Sequence, residues 1–300
     1  MRICMNACAP VLFLVFNRPE PTRRVFEAIR AARPQRLYVA ADGPRLDRFG
    51  EREHCLEVRT IATDVDWPCE LHTYFFDANQ GCRNAVSKAI SWFFGAEQQG
   101  IVLEDDCLPS CEFFPYATSL LDYYQADSRI MKINGFNPFG AYSSSESYFY
   151  SHFGYAWGWA SWSRAWRYFD SDVNALASRL SAIPCLPYPF YRDRLEVIND
   201  LKNGLDTWDF QWEFAISSQH GLQIVPSKSL ICNLGFGPDA SHTLVKPRGV
   251  YNVEAFSSIM PLTHPDLMLP DAVYEQRLLA QGRASFRQRI KALAKSFIRF

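Results

Sequence analysis

The sequence predicts an α/β fold in which a Rossmann-like mixed sheet is flanked by helices. In the first hundred residues, short apolar runs alternate with segments of helical period, which is typical of βαβ units and a parallel sheet. The 300-residue chain is 48% hydrophobic and 21% charged, so it can bury a sizeable core. Polar clusters follow several of the apolar runs directly, and this pattern indicates a ligand site at one edge of the sheet.

The individual elements are predicted from local patterns. The strand at 11–16 and the strand at 100–103 are apolar throughout, as expected for parallel strands that are buried on both faces. Asp42-Gly43-Pro44 ends the second strand, and Asn79-Gln80-Gly81 forms a turn before an amphipathic helix. In chain order, the predicted elements are strand 11–16, a helix from 21, strand 36–41, helix 52–63, strand 70–76, helix 84–94, strand 100–103, helix 111–124, strand 130–133 and helix 208–218.

Three polar clusters follow apolar strands directly: Asn17-Arg18, Asp42-Gly43 and Glu104-Asp105-Asp106. Because ligands bind beyond the carboxyl ends of parallel strands, we expect these clusters to share one rim of the sheet. Three consecutive carboxylates repel one another and must be solvated or neutralised. They form either an exposed acidic turn or a site for Mg²⁺ or Mn²⁺, which is held in proteins by one or two carboxylates together with substrate phosphates.

Charge and cysteine content argue against several classes of protein. The formal net charge of -1 does not suit a surface for nucleic acid. The nine cysteines include no Cys-x-x-Cys pair, so no zinc ribbon or thioredoxin-type site is indicated, and their scatter fits a reducing cytoplasm. The apolar run 7–16 ends in Asn17-Arg18-Pro19 and predicts a buried strand rather than a secretory signal. No other run approaches the ~18 apolar residues of a membrane span.

The acidic cluster lies in a motif that resembles GT-A glycosyltransferases. Glu104-Asp105-Asp106 follows a strand and precedes Leu108-Pro109 and a helix with Phe113-Phe114. This arrangement is similar to that of N-acetylglucosaminyltransferase I and of a bacterial group of nucleotide-diphospho-sugar transferases described as hemolytic-protein-like. Further segments resemble that family in the same order, namely Pro10 to Arg24, Asn79 to Arg83, Phe153 to Trp159, and Asn233 to Gly237 with Ser241-His242-Thr243. The resemblance covers residues 10–245.

The resemblance implies a GT-A type sheet and a metal-dependent, inverting transfer of sugar from a nucleotide-sugar donor. A UDP-sugar is the favoured donor, and Mn²⁺ or Mg²⁺ is the implied cofactor. By the same pattern, Asp106 is the direct metal ligand, while Glu104 and Asp105 contact the donor sugar and ribose. The remaining positions assigned in this way are Arg18 at the diphosphate or uridine, Asp42 at the uracil or ribose, Arg83 in the loop before the helix that leads to the acidic strand, Trp157 and Gly158 beneath the donor sugar, and His242 near the diphosphate or metal.

The segment from Tyr148 to Phe169 is rich in aromatic side chains, which also suits a saccharide site. Aromatic faces stack on the C–H faces of sugars, although most aromatic side chains in proteins belong to the core. Gly154 and Gly158 allow close approach of the backbone to a ligand. Tyr155, Trp157 and Trp159 are therefore the candidates for contact with sugar.

Inverting transfer needs a carboxylate that accepts the proton of the acceptor hydroxyl as it attacks the anomeric carbon. Asp209 and Glu213 are four residues apart on one predicted helix face, and Asp209 is the favoured base, with Asp206 as a further candidate. The resembling family has Trp-Asp-Asp-Trp here, whereas this chain has Trp-Asp-Phe-Gln-Trp from Trp208 to Trp212. Alternatively, Asp206 only caps the start of this helix.

The predicted organisation is a glycosyltransferase domain at 1–245, an extension at 246–282 that packs on it, and a helix at 283–300. The last segment carries apolar residues on one helical face and basic residues without any acid. Such a helix either contacts an anionic membrane or docks on the domain. We expect a cytoplasmic protein, at the inner face of the membrane if this helix binds lipid. The expected acceptor is a glycan or a lipid-linked group in surface polysaccharide synthesis.

Other functions are weighed against this one. A sugar-phosphate nucleotidyltransferase has a related fold and metal requirement, but it needs a glycine-rich loop with Arg and Lys after the first strand, where this chain has Asn17-Arg18-Pro19-Glu20. A non-enzymatic binding or lytic protein, which the hemolytic description would suggest, would leave the acidic rim without a purpose, and no apolar segment is long enough for a pore. A non-catalytic protein that binds nucleotide-sugars or glycans stays an alternative. A Rossmann dehydrogenase is excluded because no Gly-x-Gly-x-x-Gly follows the first strand.

Overall fold

A computed structural model describes residues 8–142, 145–180, 197–235 and 258–280. These residues form an eight-stranded mixed sheet with helices on both faces, together with a small two-stranded sheet. The strands are β1 (Val11–Val15), β2 (Arg36–Ala41), β3 (Glu70–Phe75), β4 (Gln99–Glu104), β5 (Cys107–Pro109), β6 (Ile130–Asn134), β7 (Tyr148–Ser151), β8 (Trp159–Trp162), β9 (Leu222–Pro226) and β10 (Ile231–Asn233). The helices are α1 (Pro19–Ala32), α2 (Glu51–Ala62), α3 (Cys82–Ala96), α4 (Phe113–Tyr123), α5 (Ser163–Trp166), α6 (Val173–Leu180), α7 (197–202), α8 (Asp209–Ser218) and α9 (272–280).

The order of strands in the large sheet is β3-β2-β1-β4-β8-β6-β9-β7. The first four strands are parallel, whereas β8 is antiparallel to both β4 and β6. Strand β9 continues parallel to β6, and β7 closes this edge antiparallel to β9. The predicted fold class, a Rossmann-like mixed sheet flanked by helices, is therefore confirmed.

Alternate residues of the central strands build the two faces of the core. On β1, Val11 and Phe13 pack against α1, α2 and α4, whereas Leu12 and Leu14 pack against α3 and α8. Both sets are buried, which explains why β1 is apolar throughout and does not alternate. The second face is rich in aromatic side chains, and Trp159 on β8 is fully buried there.

Residues 258–280 pack on the far edge of the sheet. Ile259 is buried in the same core as β1, and its carbonyl accepts a 2.7 Å hydrogen bond from Ser147 Oγ. Tyr274 on α9 is fully buried against Phe149 and Val225. The helix predicted at 283–300 lies outside the described residues, and the division of the chain at 245 and 282 stays a prediction.

Candidate functional site

A cavity of about 410 Å³ opens at the carboxyl ends of β1, β2 and β4. These strands end level with one another, because Val15 is paired with Ala41 and Leu14 with Glu104. Residues from all three predicted polar clusters line the cavity, so the rim inferred from the sequence is present. The volume is within the range of sites for small molecules.

Arg18 provides the counter-charge for the acidic cluster. Its Nη1 donates a 2.9 Å hydrogen bond to Asp106 Oδ2, and its Nη2 forms an ion pair with Asp105 Oδ1. Glu104 forms no ion pair within the described part of the chain. One guanidinium is therefore shared between two carboxylates, and the third acid of the cluster has no direct positive partner there.

Burial and mutual repulsion perturb the acids in this cluster. Burial raises the pKa of Glu104 well above its usual range, and the charges of three neighbouring aspartates raise it further. Burial raises the pKa of Asp105 to about 6, although the charge of Arg18 opposes the increase. Burial alone would lower the pKa of Arg18, but the attraction of Asp105 and Asp106 raises it. Ionisation of all three acids is therefore unfavourable with one guanidinium as counter-charge, and a further cation would stabilise their charged forms.

The small sheet brings a glycine against Asp106. Strand β10 pairs antiparallel with β5, and the N–H of Leu234 donates a 2.7 Å hydrogen bond to the carbonyl of Asp106. The N–H of Gly235 donates to Asn233 Oδ1 at 2.6 Å. A Cβ atom at position 235 would overlap the Asp106 carboxylate, so this close approach requires glycine.

Asp42 lines the cavity and also holds the loop at 79–81. Its carboxylate accepts 2.8 Å hydrogen bonds from the backbone N–H of Gly43, from the backbone N–H of Gln80 and from Asn79 Nδ2. Burial raises the pKa of Asp42, although its backbone hydrogen bonds act in the opposite direction. Much of its hydrogen-bonding capacity is thus used inside the protein, which the sequence did not indicate.

Asp206 caps a different helix from the one expected. Its two carboxylate oxygens accept hydrogen bonds of 2.7 and 2.9 Å from the N–H groups of Cys82 and Arg83, in the first turn of α3. The sequence predicted that Asp206 caps α8 or acts as a base. It instead accepts hydrogen bonds from two N–H groups of α3 that have no partner within the helix, 124 and 123 residues away in the chain. It also lines the cavity.

Arg83, which the resemblance places among the donor-binding residues, does not line the cavity. Its Nη2 donates hydrogen bonds to the carbonyl oxygens of Leu205 and Leu201. The side chain therefore points to the segment that carries Asp206. Arg83 and Asp206 together tie this segment to the start of α3.

Replacing Asp206 by alanine is expected to destabilise the fold. The change leaves two N–H groups of α3 without their carboxylate partner, and the loss of a helix cap typically costs about 1–2 kcal/mol. We expect the midpoint of thermal unfolding to fall by roughly 2–5 °C, as measured by calorimetry. The matched control is Asp77→Ala, since Asp77 is an exposed acid after β3. Equal melting temperatures for the two variants would contradict the capping role.

The aromatic segment after β7 divides between the cavity and the core. Trp157 lines the cavity, and the centre of its ring lies 4.6 Å from that of Phe136. Trp159 is fully buried in the core and is not available to a sugar, so its prediction as a ligand contact was wrong. Gly158 has φ +59°, and a Cβ there would overlap Ile231, so this glycine serves packing and is not part of the cavity lining.

The two candidate bases on α8 have different surroundings. Asp209 is partly buried, accepts a hydrogen bond from Thr207 Oγ1, and lies close enough to Glu104 for its charge to raise the pKa of Glu104. Glu213 forms an ion pair with the fully buried Lys132, and its other oxygen accepts a 2.7 Å hydrogen bond from Gln223. Both oxygens of Glu213 are thus engaged within the protein.

Arg45 is a cavity residue that sequence reasoning missed. Its guanidinium forms an ion pair with the buried Glu51 and lies 5.5 Å from the ring centre of Phe16. Asn17 Nδ2 donates a 2.8 Å hydrogen bond to the same glutamate. The only local signal was an arginine in the loop after β2, and nothing in that pattern distinguished it from a solvated charge.

A metal ion at this site would need ligands from a substrate. In the parts of the chain that the structure covers, no three His, Cys, Asp or Glu side chains are grouped to hold a metal by themselves. Asp106 lies on the cavity wall and offers one carboxylate. This fits Mg²⁺ or Mn²⁺, which take one or two carboxylates and complete their coordination with phosphates and water. His242, the other predicted ligand, is outside the described residues.

No protein-family model matches the chain, and no curated protein matches it either. Among solved structures, the chain is similar to HddC from Yersinia pseudotuberculosis, with a TM-score of 0.28 and 13% sequence identity. The match covers 42% of this chain and 56% of HddC, so no functional conclusion follows from it.

Among the described residues, no helix has the length and apolar character required to span a bilayer.

Proposed function

We propose that this chain is a glycosyltransferase that binds a nucleotide-sugar donor in the cavity and holds the donor diphosphate through a divalent cation at Asp106. The observation that carries the proposal is the charge of this cavity. Three adjacent acids face a single shared guanidinium at the carboxyl ends of parallel strands. Such a wall repels a bare diphosphate and becomes attractive to it only with a bridging cation.

The apolar part of the cavity suits a nucleoside. It extends from the acidic cluster between the sheet and α3, and the small side chains there leave room for a planar ring. The residues that form it are Leu14, Val15, Ala40, Ala41, Ala85, Val86 and Ala89. The partly buried rings of Phe16 and Phe76 also line the cavity and offer stacking surfaces.

The cation, Mn²⁺ or Mg²⁺, would be held by Asp106 and the donor phosphates, and it would act as a Lewis acid that offsets the charge of the leaving nucleoside diphosphate. Arg18 orients Asp106 and Asp105 through the contacts described above. Glu104 and Asp105 would face the sugar and ribose, and Trp157, which lines the same cavity, would pack on the sugar.

Asp209 is the proposed proton acceptor. As the acceptor hydroxyl attacks the anomeric carbon, its proton passes to the Asp209 carboxylate and the bond to the diphosphate breaks, which inverts the configuration. Glu213 is less suitable, because Lys132 and Gln223 already occupy its oxygens. A glycan or lipid-linked acceptor, a cytoplasmic location and contact of residues 283–300 with an anionic membrane are part of the same proposal.

A thermal-shift screen tests the proposed donor class. UDP-, GDP-, CMP- and dTDP-sugars are added with Mn²⁺, and a donor at 100 times its Kd should stabilise the folded state by about 2.7 kcal/mol. We expect one of them to raise the melting temperature by roughly 5 °C, and EDTA to abolish the shift. A shift only with a nucleoside triphosphate would favour a nucleotidyltransferase, and binding of a sugar nucleotide without turnover would favour a binding protein. No shift with any nucleotide contradicts the proposal.

A further inference from the structure

Lys132 and Glu213 form an ion pair inside the domain. Lys132 on β6 is fully buried, and its Nζ contacts Glu213 Oε1 on α8. Removing two charges from water is costly, and a well-packed apolar pair of similar volume is often as stable or more so. Stability alone is therefore a weak reason for this pair. The hydrogen bonds around the pair indicate that it helps to position α8.

The pair extends into a hydrogen-bond network that reaches the segment after β7. Gln223 Nε2 donates to Glu213 Oε2 at 2.7 Å and to the carbonyl oxygen of His152 at 3.2 Å. Gln223 Oε1 accepts a 3.2 Å hydrogen bond from Asn134 Nδ2, and Asn134 Oδ1 accepts a 3.1 Å hydrogen bond from the N–H of Tyr155. A continuous set of contacts thus joins α8 to the backbone at 152–155.

The segment lies directly on this network. A Cβ atom at Gly154 would overlap the side-chain amides of both Gln223 and Asn134. Both amides are fully buried, so they have little freedom to move away. The backbone at Gly154 therefore packs directly on these two amides, and this close approach requires glycine.

Both ends of the network carry residues of the proposed site. Asp209 lies at the start of α8, one helical turn before Glu213 and on the same side of the helix. Trp157, which lines the cavity, follows Tyr155 by two residues. A change at the ion pair is therefore expected to alter the distance between Asp209 and the wall formed by Trp157.

We propose that Lys132 and Glu213 are positioning residues, which fix α8 and with it Asp209 relative to the segment 153–157, which carries the cavity residue Trp157. This inference rests on the proposed function for its catalytic consequence. Glu213 then acts through Asp209 and does not itself receive the proton.

The test compares Lys132→Met, Glu213→Leu and the double variant in the full-length chain. We expect each single variant to lower kcat for sugar transfer by at least about tenfold. The loss of donor affinity measured by calorimetry should be smaller than the loss of kcat, because Trp157 is one of many residues that line the donor cavity. Each single variant leaves an unpaired buried charge and lowers the melting temperature, whereas the apolar double variant recovers stability but not kcat. Hydrogen exchange of the amides at 153–157 should be faster in all three.

Arg36→Met is the matched control, because it also breaks an ion pair with a buried acid, the 2.9 Å pair with Glu97. Arg36 is the first residue of β2, at the end of the strand away from the cavity. The control should leave exchange at 153–157 unchanged. Recovery of both stability and kcat in the double variant would overturn the proposal, as would loss of transfer in Glu213→Leu with normal kcat in Lys132→Met. A wild-type protein that transfers no sugar contradicts the proposed function alone. Unchanged exchange at 153–157 in the variants contradicts the coupling, whatever the activity.

Discussion

Replacing Asp106 by asparagine is expected to lower kcat/KM for sugar transfer by about 10³-fold, or roughly 4 kcal/mol of transition-state stabilisation. The substitution keeps the shape of the side chain and removes its charge. Arg18 retains its ion pair with Asp105, so the fold should persist. What is lost is the carboxylate that faces the cavity and would share a cation with the donor diphosphate. Steady-state kinetics with the donor found by thermal shift, at saturating Mn²⁺, measures the effect.

The control for this substitution is Asp266→Asn, an exposed acid in the segment 258–280. It should retain wild-type kinetics. The melting temperatures of both variants need to lie close to that of the wild type, so that unfolding does not explain the loss. Full activity of the Asp106 variant, or activity of the wild type that survives EDTA, would contradict the role of Asp106 as a metal ligand.

Replacing Asp209 by asparagine is expected to lower kcat by about 10²–10⁴-fold, the usual contribution of a positioned general base. Donor affinity should be nearly unchanged, because Asp209 does not line the cavity that we assign to the donor. This separates it from Asp106, whose substitution should weaken metal-dependent donor binding as well. Calorimetry for the donor and initial rates for transfer give the two quantities.

Asp200→Asn is a suitable comparison for the base, since Asp200 is an exposed acid on the same stretch of chain. It should have no effect on either quantity. If Asp209→Asn retains kcat within a factor of about three, the proton passes to another group. If it loses donor affinity instead, Asp209 belongs to the donor site.

Local patterns were sufficient for the first half of the fold. The strand at Arg36–Ala41 has the predicted limits, and β1 and β4 differ from their predicted limits by a residue or less at each end. Their apolar composition follows from burial on both faces, which needs no knowledge of distant residues. The rim of the site was predictable for the same reason, because Arg18, Asp42 and Asp106 each follow such a strand.

Long-range contacts explain what the sequence could not reveal. Asp206 completes the start of α3 from a distance of 124 residues, and α3 begins at Cys82 rather than at 84 as predicted. Strand β8 lies inside an aromatic-rich stretch without alternation, so Trp159 looked like a ligand contact when it is core. The pairing of Lys132 with Glu213 across 81 residues gave no local signal at either position.

The most direct test of the proposed function is the dependence of Mn²⁺ binding on the donor nucleotide. Free Mn²⁺ can be measured by electron paramagnetic resonance while the protein is titrated with and without the nucleoside diphosphate selected by thermal shift. Because Asp106 and substrate phosphates would share the ion, we predict an affinity for Mn²⁺ at least about tenfold higher when the nucleotide is present, and no such increase in Asp106→Asn. Equal affinity for Mn²⁺ with and without the nucleotide would contradict a cation-bridged donor site.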